Sequence, residues 1–560
     1  MVKRLFQLIE REISGLHEAA YLLGFFAILS QVLGFFRDRL LASNFGAGEA
    51  LDIYYAAFRV PDLIFILSAS VVSLSVLIPF LSRKREEGKA AARVFLDSVF
   101  SAFFIFILLV SFVSFLAAPG LTRLLFPGFT AEMSLATALL MRIMLLQPIF
   151  LGISNLLASI TQLERRFFIY AVSPVLYNLG IIIGVFFFYP VLGLAGLAWG
   201  VVLGAILHLA IQVPVIFRTG MMPRFFLPRN LSLIKDVVLV SLPRTLALSL
   251  QHITVLVLTT LGSLLGVGSI AVFNLSWNLQ SVPLSIVGVS YSLAAFPTLA
   301  GFWNKGDTKT FGVTLSAAVR HILFWSVPAL VLFVVLRAQI VRTVLGSGAF
   351  DWSDTRLTAA ALALFAASVV AQSISLLFTR AYYAAGKSKT PLFIALGSAL
   401  ITVCSALLFS RIFGEAPVVR YFVESLLRVS DLQGTDMLVL PLSYSVGAIV
   451  GALVFWVLYT RDFRKFEPEV PRTFWQSFAS SVIMGFVSYL LLNVFDNVLD
   501  LHTTLGIFLQ GLFAGLGGLL AGAGILYLLG NLEIREIWAT FHHKIWKAKF
   551  IGPDPTETTF

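Results

Sequence analysis

Charge is scarce in this chain. Asp, Glu, Lys and Arg make up 12% of its 560 residues, where a soluble domain carries about 25%. That shortfall excludes an ordinary water-soluble globule. Cysteine is scarcer still: the single Cys404 rules out a disulfide within the chain, and inside an apolar run it reads as a small hydrophobe. The signatures of chemistry are missing too. There is no Walker A loop for ATP, no nucleophile elbow and no zinc-ligand spacing. The adjacent His542 and His543 would point in different directions on a helix, so no metal site is expected there. The chain also lacks a long hydrophilic segment. Its largest loop on the expected outer side, Gly414 to Asp436, is too short for a catalytic domain. No enzymatic activity and no cofactor are expected. A cleavable leader is not expected either, because the opening MVKRLFQLIEREISGLHE is charged and amphipathic and suits the inner membrane surface.

What the chain has in abundance is apolar sequence, 58% of all residues. Runs of about 20 apolar residues span a bilayer as helices. Fourteen spans are expected, near 18–42, 50–81, 95–118, 134–162, 168–188, 193–217, 236–265, 269–301, 312–336, 357–384, 391–413, 437–460, 475–496 and 503–530. The fold class is an all-α polytopic membrane protein. The net charge of +11 does not mark a nucleic-acid binder. The basic residues recur in short loops such as Ser82 to Arg85, Arg218 to Lys235 and Arg461 to Arg472, on one side of the expected membrane. By the positive-inside rule that side is cytoplasmic, and both termini lie there. The tail after Asn531 interleaves Trp538, Phe541 and Trp546 with Lys544, Lys547 and Lys549, a pattern suited to anionic inner-leaflet lipid.

A weak internal repeat orders the spans. GAGEALDIYYAAFRVP from Gly46 aligns without gaps to GSIAVFNLSWNLQSVP from Gly268, pairing Asp52 with Asn274 and Tyr55 with Trp277. The expected organisation is an interfacial segment (1–17), a first lobe of six helices (18–217), a cytoplasmic linker (218–235) and a second lobe of six (236–460). An added pair (475–530) and a cytoplasmic tail (531–560) complete it. Two such lobes around a central cavity favour alternating access.

The first copy of the repeat lies in the stretch from Leu33 to Pro79, which carries Arg37, Asp38, Arg39, Asp52, Arg59 and Asp62 within apolar sequence. Charges at membrane depth are costly and usually face a bundle interior. Asp52, Tyr55, Arg59 and Asp62 fall on one helical stripe. The stripe suits a transport path, and equally an ion-pair cluster holding two helices together. Arginines bind phosphate oxygens bidentately, so Arg37 and Arg59 are candidate ligands for an anionic head group. Asp38 and Asp52 are candidates to orient them, and Tyr55, Asp62, Arg142 and Asn278 are secondary candidates. Arg39 faces elsewhere. His208, His252 and His321 suit either proton relay or hydrogen-bonded packing. Pro174, Pro243, Pro283, Pro297 and Pro328 are candidate kinks.

The run LGFFRDRLLASNFGAGEALDIYYAAFRVPDLI resembles the opening of the MurJ/MviN lipid II flippases, of the multidrug/oligosaccharidyl-lipid/polysaccharide exporter superfamily. FFIYAVSPVLYNLGII from Phe167, SVPLSIVGVSYSLAAFPTLA from Ser281 and TRAYYAAGKSKTP ending at Pro391 extend the likeness, which covers about residues 20–530. The resemblance implies fourteen helices in two lobes with a cationic cavity. It also implies flipping of an undecaprenyl-pyrophosphate-linked peptidoglycan precursor across the bacterial cytoplasmic membrane. Partners are then the lipid-linked oligosaccharide, anionic lipids and cell-wall synthesis proteins. Several positions depart from the family pattern: Gln31, Phe65-Ile66 and Asn278 stand where basic residues are usual, and Leu258 where some members have a sodium-binding acid. Arg37 and Arg59 keep cationic positions. Rival readings are a flippase for another polyprenyl-linked glycan, and a membrane scaffold for cell-wall enzymes that transports nothing. A cation-coupled drug exporter would need an acid-lined cavity.

Overall fold

The computed structural model describes residues 16–71, 74–164, 166–226, 232–463 and 466–536. Most of the expected segment 1–17, part of the linker 218–235 and the tail beyond Glu536, with its histidine pair, lie outside the described residues. Every regular element among them is helical. Thirteen stretches there are long and apolar enough to cross a membrane, and each matches an expected span. The expected span without such a match is the second.

That helix exists. After α1 (Leu16–Phe45), Gly46 adopts φ 61° and turns the chain into α2 (Glu49–Val71). Its composition hides it, because Glu49, Asp52, Arg59 and Asp62 dilute the apolar residues. Packing explains how it tolerates Asp52. Residues 51 to 57 are buried without interruption, so all faces of the first two turns are covered by protein. A helix buried all round does not need a lipid-compatible surface.

The chain divides into two compact units. The first comprises residues 1–279, 341–365 and 386–451. It contains α1 and α2, α3 (Leu74–Glu86), α4 (Lys89–Leu125), α5 (Ala131–Met144), α6 (Leu146–Leu163), α7 (Phe167–Ile183), α8 (Leu194–Ala210), α9 (Ser232–Leu264) and the start of α10 (Ser269–Pro283). Glycine permits a close helix approach in this unit. A methyl group on Gly180 would lie 2.3 Å from the Gly204 Cα, and one on Gly200 would lie 2.6 Å from the Gly184 Cα. Thus α7 and α8 meet backbone to backbone, the packing that small residues permit in membranes.

The second unit comprises residues 280–340, 366–385 and 452–560. It holds α11 (Ser290–Asn304), α12 (Thr308–Val335), part of α13 (Trp352–Ala384), and the added pair α17 (Glu469–Asp496) and α18 (Thr504–Leu528). Of the candidate kinks, Pro283 marks a change of helix type, since a π-helical turn follows over Leu284–Val289. Pro174, Pro297 and Pro328 lie within helices that remain α-helical. Polar side chains pin α17 to α18: Ser480 Oγ donates to the Gly522 carbonyl at 2.8 Å, and Gln510 Nε2 to the Leu492 carbonyl at 3.0 Å. Glu533, beyond α18, is buried 3.5 Å from Arg320 of α12 and accepts from Thr473 of α17.

Candidate functional site

Arg37, Asp38, Asp52, Arg59 and Asp62 of α1 and α2 lie within the first unit, each hydrogen-bonded to a partner there. Arg37 donates through Nε (3.0 Å) and Nη2 (2.8 Å) to Asp38 Oδ1. Neighbours i and i+1 on a helix do not normally face each other. A third bond draws the guanidinium into place, because Nη1 donates to Asn178 Oδ1 of α7 at 3.0 Å. Asn178 is itself fixed by donating to the carbonyl and hydroxyl of Ser30, each at 3.2 Å. The other oxygen of buried Asp38 accepts from Asn278 Nδ2 of α10 at 3.0 Å. Asp38 is buried and Arg37 half-buried, and the two hold each other in place.

Arg59 has a different environment. Its Nη2 donates to Asn274 Oδ1 of α10, a neutral acceptor, so this bond leaves the positive charge uncancelled. The Nε of Arg59 is buried without a hydrogen-bond partner, as is the hydroxyl of Tyr55 one turn earlier. Asn274 in turn donates to the Ile270 carbonyl at 2.7 Å. Asp62 accepts from Gln147 of α6 at 3.2 Å, and the other amide atom of Gln147, Oε1, is buried and unpartnered.

Asp52 departs from its expected role of orienting the arginines. Both of its oxygens are taken by the start of α10, accepting from Gly268 N at 2.6 Å and Ala271 N at 2.7 Å. The first N–H groups of a helix have no partner within it and carry the positive end of its dipole, which a carboxylate satisfies. Gly268 is required there: it has φ 88°, and a methyl group would come within 2.2 Å of the Ala47 carbonyl oxygen. Arg142 lies apart from the set, donating to the Phe115 carbonyl at 3.1 Å and covering that ring at 5.1 Å. Arg39 likewise faces elsewhere, donating to the Thr343 carbonyl at 2.5 Å at the end of a short helix. His208 pairs with Ser154 at 2.7 Å, which is the packing reading.

Three residues of this set are absent from the candidates drawn from sequence: Asn178, Asn274 and Gln147. Asn274 carried one signal, its place opposite Asp52 in the repeat. Asn178 and Gln147 carried none, being amides far along the chain from the charges they meet.

A many-span helical bundle with a charged cluster among its helices defines a multi-pass membrane protein. Solved structures agree on the fold. A lipid II flippase MurJ in an inward closed conformation superposes with a TM-score of 0.73 at 22% identity, covering 92% of this chain and all of that one. A multidrug resistance MATE family transporter in an inward-facing conformation gives 0.61 at 16% identity over 79% of this chain and 96% of that one. The sequence narrows the class further. The profile of the lipid II flippase MurJ family matches residues 41–509, and the chain belongs to that family. Its relatives include the lipid II flippase MurJ of Burkholderia cenocepacia, 26% identical over 400 residues, which are 70% of this chain and 78% of that protein.

Proposed function

We propose that this protein carries lipid II from the inner to the outer leaflet of the bacterial cytoplasmic membrane by alternating access, without chemical change to the cargo. The observation that carries the site assignment is Arg59, a half-buried guanidinium bonded to an amide, with a buried, unpartnered Nε and the unpartnered hydroxyl of Tyr55 one turn earlier. A pyrophosphate offers several anionic oxygens to such donors, and charge-assisted bonds to arginine are about twice as strong as neutral ones. Arg37 supplies the second guanidinium. Asp38 and Asn178 hold it, and Asp38 is held in turn by Asn278. Asp52 acts at a distance by fixing the start of α10. The lipid tail stays in the bilayer, with α17 and α18 offering it a groove.

The placement of basic loops supports a topology with both termini cytoplasmic and contact with anionic inner-leaflet lipid. Proteins of cell-wall synthesis are the expected partners. The test is translocation of defined lipid II in proteoliposomes. Arg37→Ala combined with Arg59→Ala should abolish it with the protein still folded, and wild-type flux in that variant refutes the assignment.

A further inference from the structure

The segment between α14 (Lys389–Glu415) and α16 (Val439–Asp462) folds into a helix of its own, α15 (Pro417–Leu427), that is inside out by the standards of a soluble protein. Its apolar residues Val418, Tyr421, Phe422 and Leu426 form one helical stripe and are 62–80% exposed. Its charged residues Arg420 and Glu424 face the chain. Buried Glu424 accepts from Arg420 Nε at 2.8 Å and from Thr435 Oγ1 at 2.5 Å. Arg420 reaches on to Asp436 at 3.1 Å. Just past the helix, Arg356 of α13 clamps Asp431 at 2.5–2.6 Å and donates to the Arg428 carbonyl at 2.6 Å. The arginine–acid network therefore holds the helix by its polar face and presents the apolar stripe outward.

We propose that α15 is an interfacial helix whose apolar stripe lies in the headgroup–acyl boundary of the leaflet at that end of the protein. Continuity argues for lipid as the occupant. Only Ala416 separates α15 from α14, a membrane span whose Leu400, Leu407 and Leu408 are all more than half exposed. The next span opens at Thr435, so both ends of the segment are tethered at membrane level. Tyr421 and Phe422 are residue types that settle at that depth, and an amphipathic helix buries such a face about 5–10 Å into the boundary. This placement is independent of the transported cargo.

Because Cys404 is the sole cysteine, a Cys404→Ala background accepts single labels. Nitroxides at Phe422→Cys and Leu426→Cys, with the exposed loop position Gln433→Cys as reference, can be measured in full-length protein. The protein is placed in nanodiscs of phosphatidylethanolamine and phosphatidylglycerol. The proposal expects labels at 422 and 426 to collide readily with oxygen and several-fold less with an aqueous nickel chelate than the label at 433. Equal nickel accessibility at all three positions places the stripe in water and overturns the proposal. Spin–spin broadening between labels of two copies in one disc assigns the face to self-association and overturns it equally.

Discussion

The two helices matched by the internal repeat, α2 and α10, share a frame and differ in charge. Each follows a glycine of positive φ, Gly46 or Gly268, and each is buried over its opening turns. Each start is held by an acid from elsewhere. Asp52 of α2 caps α10, while Asp354 of α13 accepts from Ala47 N at 3.0 Å in the turn before α2. Beyond the frame they diverge. In the repeat register Asn274 stands at the place of Asp52, and Ser281 at that of Arg59. The amides of α10 complete the hydrogen bonding of Arg59 and Asp38 without adding charge. One copy of the repeat supplies ions, and the other supplies neutral hydrogen-bond partners to them.

Substitutions can break this division of labour. Asp52→Ala should do the most damage to folding, because two buried N–H groups at the start of α10 lose their acceptor at about 1–3 kcal/mol each. Asp52→Asn, which retains an acceptor, should lose much less. Thermal unfolding of the purified protein in detergent compares the two, and equal losses would remove the capping role. Asn274→Asp sets a carboxylate beside Arg59 and removes the donor to the Ile270 carbonyl, so it should lower thermal stability modestly. It should weaken lipid II binding about 10- to 100-fold, matching the roughly 1.5–3 kcal/mol of a hydrogen bond to a charged group. Unchanged binding would show that Arg59 does not meet the head group. Asn278→Ala deprives the Asp38 carboxylate of one donor, worth about 1.5–3 kcal/mol, and leaves Arg37 in place, so it should slow flipping without abolishing it.

The smallest effect is expected where α13 meets the loop after α15. Its Arg356 donates to exposed Asp431 and holds that carboxyl below the usual carboxylate range. A depressed value means the pair stabilises the fold above about pH 4 and ceases to do so as pH falls through the folded-state value. The difference in unfolding temperature between wild type and Asp431→Asn should therefore be small at neutral pH and vanish in acid. A difference that grows in acid would contradict that sign.

Much of the fold was legible because lipid imposes one strong rule, a long apolar run for each span. The rule failed where a helix met protein instead of lipid, as α2 does. The charged members of the site were legible for the same reason, since Arg37, Asp38 and Arg59 stand out against apolar sequence. Their partners did not. Asn178 lies 141 residues from Arg37, and nothing in its local sequence indicates that distance is closed. Asp52 was legible as a charge and misleading as to role, because its partner is the backbone of another helix, and backbone leaves no mark in composition.

The glycine seam between α7 and α8 has a practical consequence for studying motion. With no side chains between the two backbones, sliding or tilting one helix against the other would drive main chain into main chain. The pair should thus travel as one beam in any conformational cycle. Probes placed on its two members would report a constant separation, an internal ruler against which displacements elsewhere can be measured.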